Sequence, residues 1–255
     1  MEALSIQTIA RNLRQATRTG VAVSAVGAGT LELDLAVEIA ATGRALAIAE
    51  GERVVGYKVG LTAAAVRESF ETVNPVQGYL LAGTLLPAGG TLDTGKLRNP
   101  LVEAEIAFII GEPLNNPNAT LEDIIAATKA VAPAIEIVDS RWSGGAANLS
   151  LLIADNTNAA AAFVGEPVPL PTNIAEATSL LTVGTSKYPG STETVLGNPL
   201  ESVAWLARHL AAAGAGLRAG DIVLSGSMNI PVPLGSSSSA TATIDCAGSV
   251  SANFR

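Results

Sequence analysis

Three glutamates stand inside runs that are otherwise almost wholly apolar: Glu103 and Glu105 in Leu101-Val-Glu-Ala-Glu-Ile-Ala-Phe-Ile-Ile110, and Glu136 in Pro133-Ala-Ile-Glu-Ile-Val138. A β-strand alternates its faces with period two, so Glu103 and Glu105 share one face while Val102, Ala104, Ile106, Phe108 and Ile110 form the other. Two like charges held so close in apolar surroundings are costly unless they share a proton or a cation sits between them. A divalent metal is the simplest resolution. For each glutamate taken singly, an edge-strand charge facing water is the competing account.

Lys58 has a similar setting, between Tyr57 and Val59 in the β-rich run Arg53-Val-Val-Gly-Tyr-Lys-Val-Gly60. Such a lysine guards an edge strand, or, beside an anionic pocket, binds a substrate carboxylate or transfers a proton. Asp155-Asn156 suits a turn. In Ser225-Gly226-Ser227, after an apolar strand, a glycine lets a ligand approach the backbone and hydroxyls can bond a carboxylate, with a plain turn as the alternative. His209, the single histidine, falls near a helix C-terminus and receives no catalytic role. No nucleophile elbow, phosphate loop or dinucleotide fingerprint is present.

The elements that must position these groups can be read from periodicity and capping. Residues 4–18 and 31–51 have helical spacing, with Thr30 as a candidate N-cap. Thr62 is placed to cap a short helix through Ser69, and a Pro/Gly-rich stretch covers Asn74 to Gly95. A helix is predicted over Leu121–Val131 behind a capping box of Thr120 and Asp123, and another from Pro199 to Gly214 behind Asn198, with Glu201 at its third position. Ser179–Thr185, Asp221–Ser225 and Ala240–Phe254 read as strands, and Ser236–Ser239 as a loop. The expectation is a single α+β domain over residues 1–255, with a helical N-terminal part (1–52) and a β-rich, antiparallel-rich core (53–255).

Composition narrows the chemistry. One cysteine excludes a disulfide framework and a thiolate cluster, and one histidine leaves any metal to oxygen ligands, which suit magnesium or manganese better than zinc. A net charge of -8 argues against nucleic acid as a partner. The sequence shows neither a basic-then-apolar leader nor an apolar run long enough to cross a membrane, so a cytoplasmic location is expected.

Several motifs in register resemble one family. Gly56-Tyr-Lys-Val-Gly-Leu-Thr62, Val102-Glu-Ala-Glu-Ile-Ala107, Pro133-Ala-Ile-Glu-Ile-Val-Asp-Ser-Arg141, Ala154-Asp-Asn156, Val203-Ala-Trp-Leu-Ala207 and Ala219-Gly-Asp-Ile-Val-Leu-Ser-Gly226 are similar to the 2-keto-4-pentenoate hydratase / 2-oxo-hexenedioate decarboxylase family of the fumarylacetoacetate hydrolase superfamily. The resemblance implies a mixed β-roll core covered by helices, a divalent metal and a homo-oligomer, with a neighbouring pathway enzyme as a further partner. It implies Glu103, Glu105 and Glu136 as metal ligands, Lys58 and Asp155 as catalytic residues, and Leu61, Tyr79, Ser225, Gly226 and Asn229 as substrate-binding positions. A 2-oxo acid would chelate the metal, which would stabilise the enolate left when a neighbouring carbon loses a proton or carbon dioxide.

Departures from the family pattern bear on the product. Pro75-Val76-Gln77-Gly78 stands where hydratases often carry Pro-Asp-aromatic-Gly, which favours decarboxylation. Trp142–Ser150 and Ser227-Met-Asn-Ile-Pro231 contain no Lys or Arg for a second carboxylate, which favours a monocarboxylate and hence hydration of 2-hydroxypenta-2,4-dienoate. Pro233–Ser239 also departs from the family's turn, with an effect expected at the surface. An acylpyruvate carbon–carbon hydrolase is a further alternative, disfavoured by the single histidine. So is a non-catalytic partner subunit, which Val76 keeps open.

Overall fold

The structure, a computed structural model, describes residues 5–25 and 31–255, so Thr30 lies outside the described residues. Helix α1 (Ile6–Thr19) starts under Ser5, whose hydroxyl accepts the Thr8 N–H, and α2 (Leu33–Ala49) starts at Glu32 with no side-chain cap. Ile9, Ala10 and Leu13 of α1 and Ala36 and Ile39 of α2 are buried in one cluster with Trp142, Leu151 and Ala154. The helical N-terminal part thus packs as a cover on the segment around residues 142–154.

The chain then runs through β1 (Val54–Gly60), α3 (Ala64–Ser69), β2 (Val76–Leu81), β3 (Leu85–Pro87) and β4 (Thr91–Leu92). Three strands therefore occupy the stretch whose Pro and Gly content reads as irregular. Thr62 does not cap α3: Ala63 holds the N-cap position without a side-chain bond, and Thr62 is buried against Gly226 while its carbonyl accepts from Arg67.

Strand β5 (Leu101–Ile110) is followed by α4 (Leu121–Ala127) and β6 (Thr128–Val138). The Thr120–Asp123 capping box is present. The predicted helix to Val131 stops at Ala127, because Thr128 pairs with Ile110 and Val131 with Phe108 in an antiparallel ladder. Cross-strand pairing of β-branched residues overrides the local helical spacing here.

Next come α5 (Leu149–Ala154), β7 (Ala159–Val164), β8 (Thr178–Val183), β9 (Ser186–Ser191) and α6 (Pro199–Ala212), the last opened by Asn198, whose side chain accepts the Leu200 N–H. The chain closes with β10 (Ile222–Leu224), β11 (Val232–Pro233), β12 (Ser239–Ile244) and β13 (Gly248–Phe254). The single strand expected over Ala240–Phe254 is instead two antiparallel strands turning at 245–247, and Ser239 belongs to the first of them.

One sheet of eight strands has the order β2-β1-β10-β5-β6-β7-β3, with β11 also paired to β5; the other runs β4-β13-β12-β8-β9. Among the strands of the described residues, β1/β10, β3/β7 and β4/β13 pair in parallel and the rest antiparallel. The architecture is a mixed α+β fold, as expected. On the face of β5 opposite the glutamates, Val102 and Ala104 pack against the second sheet through Leu181, Ala242 and Val250. Farther along, Ile106 and Phe108 pack against Val203 and Leu206 of α6. Burying a full apolar face contributes roughly 1.5–3 kcal/mol per large side chain, and that packing fixes the direction in which Glu103 and Glu105 point.

Candidate active site

The β5/β6 register sets Glu103 directly opposite Glu136 and Glu105 opposite Ala134. All three glutamates project from the same face and are buried, Glu105 and Glu136 completely. One carboxylate oxygen from each lies within 4.8 Å of the others. Around them the face is built of small residues, Ala107, Ala132, Ala134 and Ala162, packed with Leu80 and Leu224. Directly opposed like charges destabilise a sheet, so the cluster requires compensation.

Lys58 supplies part of it. On β1 it pairs with Leu224 of β10, which pairs in turn with Ala107 of β5, so Lys58 stands on the same face two strands away. Its ammonium Nζ lies 3.0 Å from Glu136 Oε2 and donates to the Thr157 carbonyl at 3.2 Å. Gly78, opposite Lys58 on β2, makes room: a Cβ there would sit 2.8 Å from the Asn156 carbonyl oxygen and 3.0 Å from Lys58 Cγ.

Burial is the largest influence on the carboxyls and pushes all three up, Glu103 to about 7 and Glu105 well above the ordinary carboxylate range, with Lys58 opposing. Burial draws the Lys58 ammonium down, but Glu136, Glu103 and Glu105 outweigh it and its pKa is raised. One cation against three carboxyls leaves the cluster short of positive charge. Glu105 Oε1 and Glu136 Oε1 are buried with no hydrogen-bond partner, whereas Glu105 Oε2 accepts the Gly226 N–H at 2.8 Å. Orphaned carboxylate oxygens converging on one point, with no nitrogen or sulfur donor, fit a hard divalent cation.

Glu103 and Lys58 open onto a cavity of about 310 Å3. Its polar lining includes Thr62, Thr157, Asn158, Thr194, Ser227 and Asn229; its apolar lining includes Leu61, Val66, Phe70, Leu152 and Ile230. Leu61 takes a left-handed conformation at φ 58°. Asn229 is held by its own amide, which accepts the Ala104 N–H and donates to the Ile230 carbonyl.

Of the predicted residues, the glutamates, Lys58, Leu61 and Asn229 meet here, and four others stand outside the cavity wall. Tyr79 pairs with Tyr57, one residue off the Lys58 row, so period two sends its side chain to the other face of the sheet. Ser225 is fully buried, its carbonyl accepting from Ser202, and it does not line the cavity. Gly226 gives its N–H to Glu105 instead of a ligand. Asp155 is turned to Arg141: the carboxylate accepts the Arg141 backbone N–H at 2.7 Å and pairs with the guanidinium, and it too stays out of the cavity wall. Val76 sits opposite Gly60 in the β1/β2 ladder, on the same face as Lys58, and is not among the residues of that wall.

Residues that sequence reasoning missed are Thr157 and Asn158, Thr62, Thr194, and Arg141 as the partner of Asp155. The signal for the first two was their position immediately after Ala154-Asp-Asn156. Asn156, Thr157 and Asn158 all have left-handed φ values of 50°, 53° and 57°. Each such residue costs on the order of 1–2 kcal/mol, and strain of this kind collects at functional sites.

Residues 63–254 match the family model described as Fumarylacetoacetate (FAA) hydrolase C-terminal. The chain belongs to the fumarylacetoacetate hydrolase family. Within that family it is 35% identical over 257 residues to the TodF product hydratase of Pseudomonas putida strain F1, covering 98% of this chain and 95% of that protein. It is 34% identical over 213 residues to the 4-oxalocrotonate decarboxylase of Pseudomonas sp. strain CF600, covering 81% and 79% of the two chains. A solved structure of 4-oxalocrotonate decarboxylase from Pseudomonas putida G7, complexed with magnesium and adipate, superposes with a TM-score of 0.92 at 28% identity over 98% of this chain and 97% of that one. These relatives set the chain among the family's lyase-type enzymes with a divalent metal. No helix of the described residues is long and apolar enough to cross a membrane.

Proposed function

We propose that the protein is a magnesium-dependent lyase that hydrates 2-hydroxypenta-2,4-dienoate to 4-hydroxy-2-oxopentanoate, in the lower part of aromatic meta-cleavage catabolism. The observation that carries the reading is the buried trio Glu103, Glu105 and Glu136 with the Lys58 ammonium 3.0 Å from Glu136, beside a cavity that Glu103 and Lys58 line. Glu103, Glu105 and Glu136 would hold a divalent cation, magnesium with manganese as the alternative, and that cation would supply Lewis-acid stabilisation of the negative charge that develops on a 2-oxo acid.

The chain's own residues do the rest. Lys58 lines the cavity as its cation and carries the exchangeable proton, kept in its charged form by the glutamates. Leu61, Val66, Phe70 and Ile230 give the cavity an apolar side suited to the unsaturated hydrocarbon end of a short acid. Gly226 orients Glu105, and Asn229 steadies the β5 backbone at Ala104. Among the lining residues Lys58 is the one cation, so nothing in the wall matches a second, distal carboxylate. This favours the monocarboxylate.

The second reading is decarboxylation of 2-oxohex-3-enedioate (4-oxalocrotonate). It is favoured by the absence of any acidic side chain in the cavity wall besides Glu103, and by the likeness to the magnesium- and adipate-bound decarboxylase. We further read the chain as one domain acting in the cytoplasm as a homo-oligomer, able to associate with a neighbouring pathway enzyme. The deciding experiment incubates purified protein and magnesium with each freshly prepared substrate and monitors ultraviolet loss and carbon dioxide release. Consumption of the pentadienoate without gas supports hydration; release from the dicarboxylate alone overturns it.

A further inference from the structure

We infer that Asp155 is a positioning residue for Lys58, acting with Arg141 through the left-handed turn between them. The inference rests on Lys58 serving the proposed reaction. The Lys58 ammonium has two close acceptors, Glu136 Oε2 and the Thr157 carbonyl. The first sits on a strand that is buried from Val131 to Val138. The second sits on three successive left-handed residues, none of them glycine and the middle one β-branched. Thr157 does not hold that conformation by its own preference.

The conformation is imposed from outside. The Asn156 amide closes on both backbone groups of Tyr79, accepting the N–H at 2.8 Å and donating to the carbonyl at 2.9 Å, while Thr157 Oγ1 donates to the Gln77 carbonyl at 2.7 Å. These bonds fasten the turn along β2. Its two ends are gripped by one side chain. The Arg141 guanidinium donates to the Asp155 carbonyl and carboxylate before the turn, and to the Ala159 carbonyl after it at 2.8 Å. Ser140 and the Arg141 N–H complete the set of donors to the Asp155 carboxylate. The pair is buried and outside the cavity, so it touches no substrate and acts through the direction in which the Thr157 carbonyl points.

Asp155→Asn keeps the size of the side chain and removes the charge that holds Arg141. With magnesium-loaded enzyme and the pentadienoate, we expect kcat to fall by about tenfold or more, because a displacement near 1 Å of a working group can cost up to about a hundredfold. KM and magnesium affinity should stay within about twofold, since neither involves the turn. In a Lys58→Ala background the same change should add less than about twofold, because the group it positions is gone. An equal loss in both backgrounds, or a loss in metal affinity instead, overturns the inference. Should Asp155→Asn fail to fold, Arg141→Lys, which retains the charge but not the fork, should show the same pattern in milder form. A crystal structure of the variant separates this inference from the assigned reaction: a retained Nζ–Thr157 carbonyl contact overturns the positioning role even if neither substrate is turned over, and its loss supports it.

Discussion

Glu103 and Glu136 are direct cross-strand partners, and the Lys58 ammonium lies 3.0 Å from Glu136 Oε2. A sheet that places two carboxylates face to face, adds Glu105 and admits one lysine is unfavourable by itself. The arrangement persists because α6 and the second sheet over-determine the other face of β5 and β6. The resulting deficit of positive charge suits the cluster to a cation.

Lys58→Ala should lower turnover by about a hundredfold or more while magnesium binding is retained, since the ammonium is not a ligand. Removing the partner of a buried charge typically costs about 3–5 kcal/mol, so the metal-free variant should melt well below wild type, and magnesium should restore part of the difference. Steady-state kinetics, calorimetric titration and thermal melts in chelator and in magnesium check this. Unchanged turnover would remove Lys58 from the mechanism.

Glu103 gives the metal-free protein a characteristic pH dependence. Its carboxyl moves from 4.5 to about 7 on folding, so the native state binds the proton more tightly than the unfolded chain. The stability it contributes is complete below 4.5 and is lost as pH rises through about 7. Metal-free protein should therefore melt at a higher temperature near the lower end of this window than above its upper end. Magnesium displaces that proton, so its affinity should weaken as pH falls through the same range. Melts with rising Tm toward alkaline pH in chelator would contradict the assignment.

Much of this was legible in the chain, and the rest had physical reasons to be hidden. The shared face of Glu103 and Glu105 comes from period two alone, and the oxygen-only donor set from one histidine and one cysteine. The pairing of Lys58 with the cluster depends on β1 lying beside β10, a long-range parallel contact that no local pattern encodes. The strand after Ala127 was obscured because residues 128–131 continue a helical spacing until β5 captures them. The face that Tyr79 takes depends on the β1/β2 register, where one residue reverses it, and that register is not local information. That Arg141 folds back onto Asp155 is likewise a tertiary contact the sequence does not show.

Gly78→Ala tests the packing around Lys58 without touching any ligand. The added methyl would meet the Asn156 carbonyl oxygen at 2.8 Å and the Lys58 stem at 3.0 Å, forcing the lysine or the left-handed turn to shift. Overpacking of this kind costs about 1–3 kcal/mol. The expected result is a lower Tm together with a fall in kcat of about tenfold or more, at unchanged magnesium affinity. A variant with wild-type kcat would show that the Lys58 position is not critical.

The most direct measurement is a magnesium titration of chelator-stripped protein, read by calorimetry and by consumption of 2-hydroxypenta-2,4-dienoate in the same samples, for wild type and Glu105→Gln. Wild type should be inactive when stripped, bind about one magnesium per chain and regain turnover in step with binding. Glu105→Gln, whose amide can still accept the Gly226 N–H, should lose about a hundredfold or more in affinity. Full activity in the stripped wild type, or undiminished magnesium binding by Glu105→Gln, would contradict a metal role for the trio.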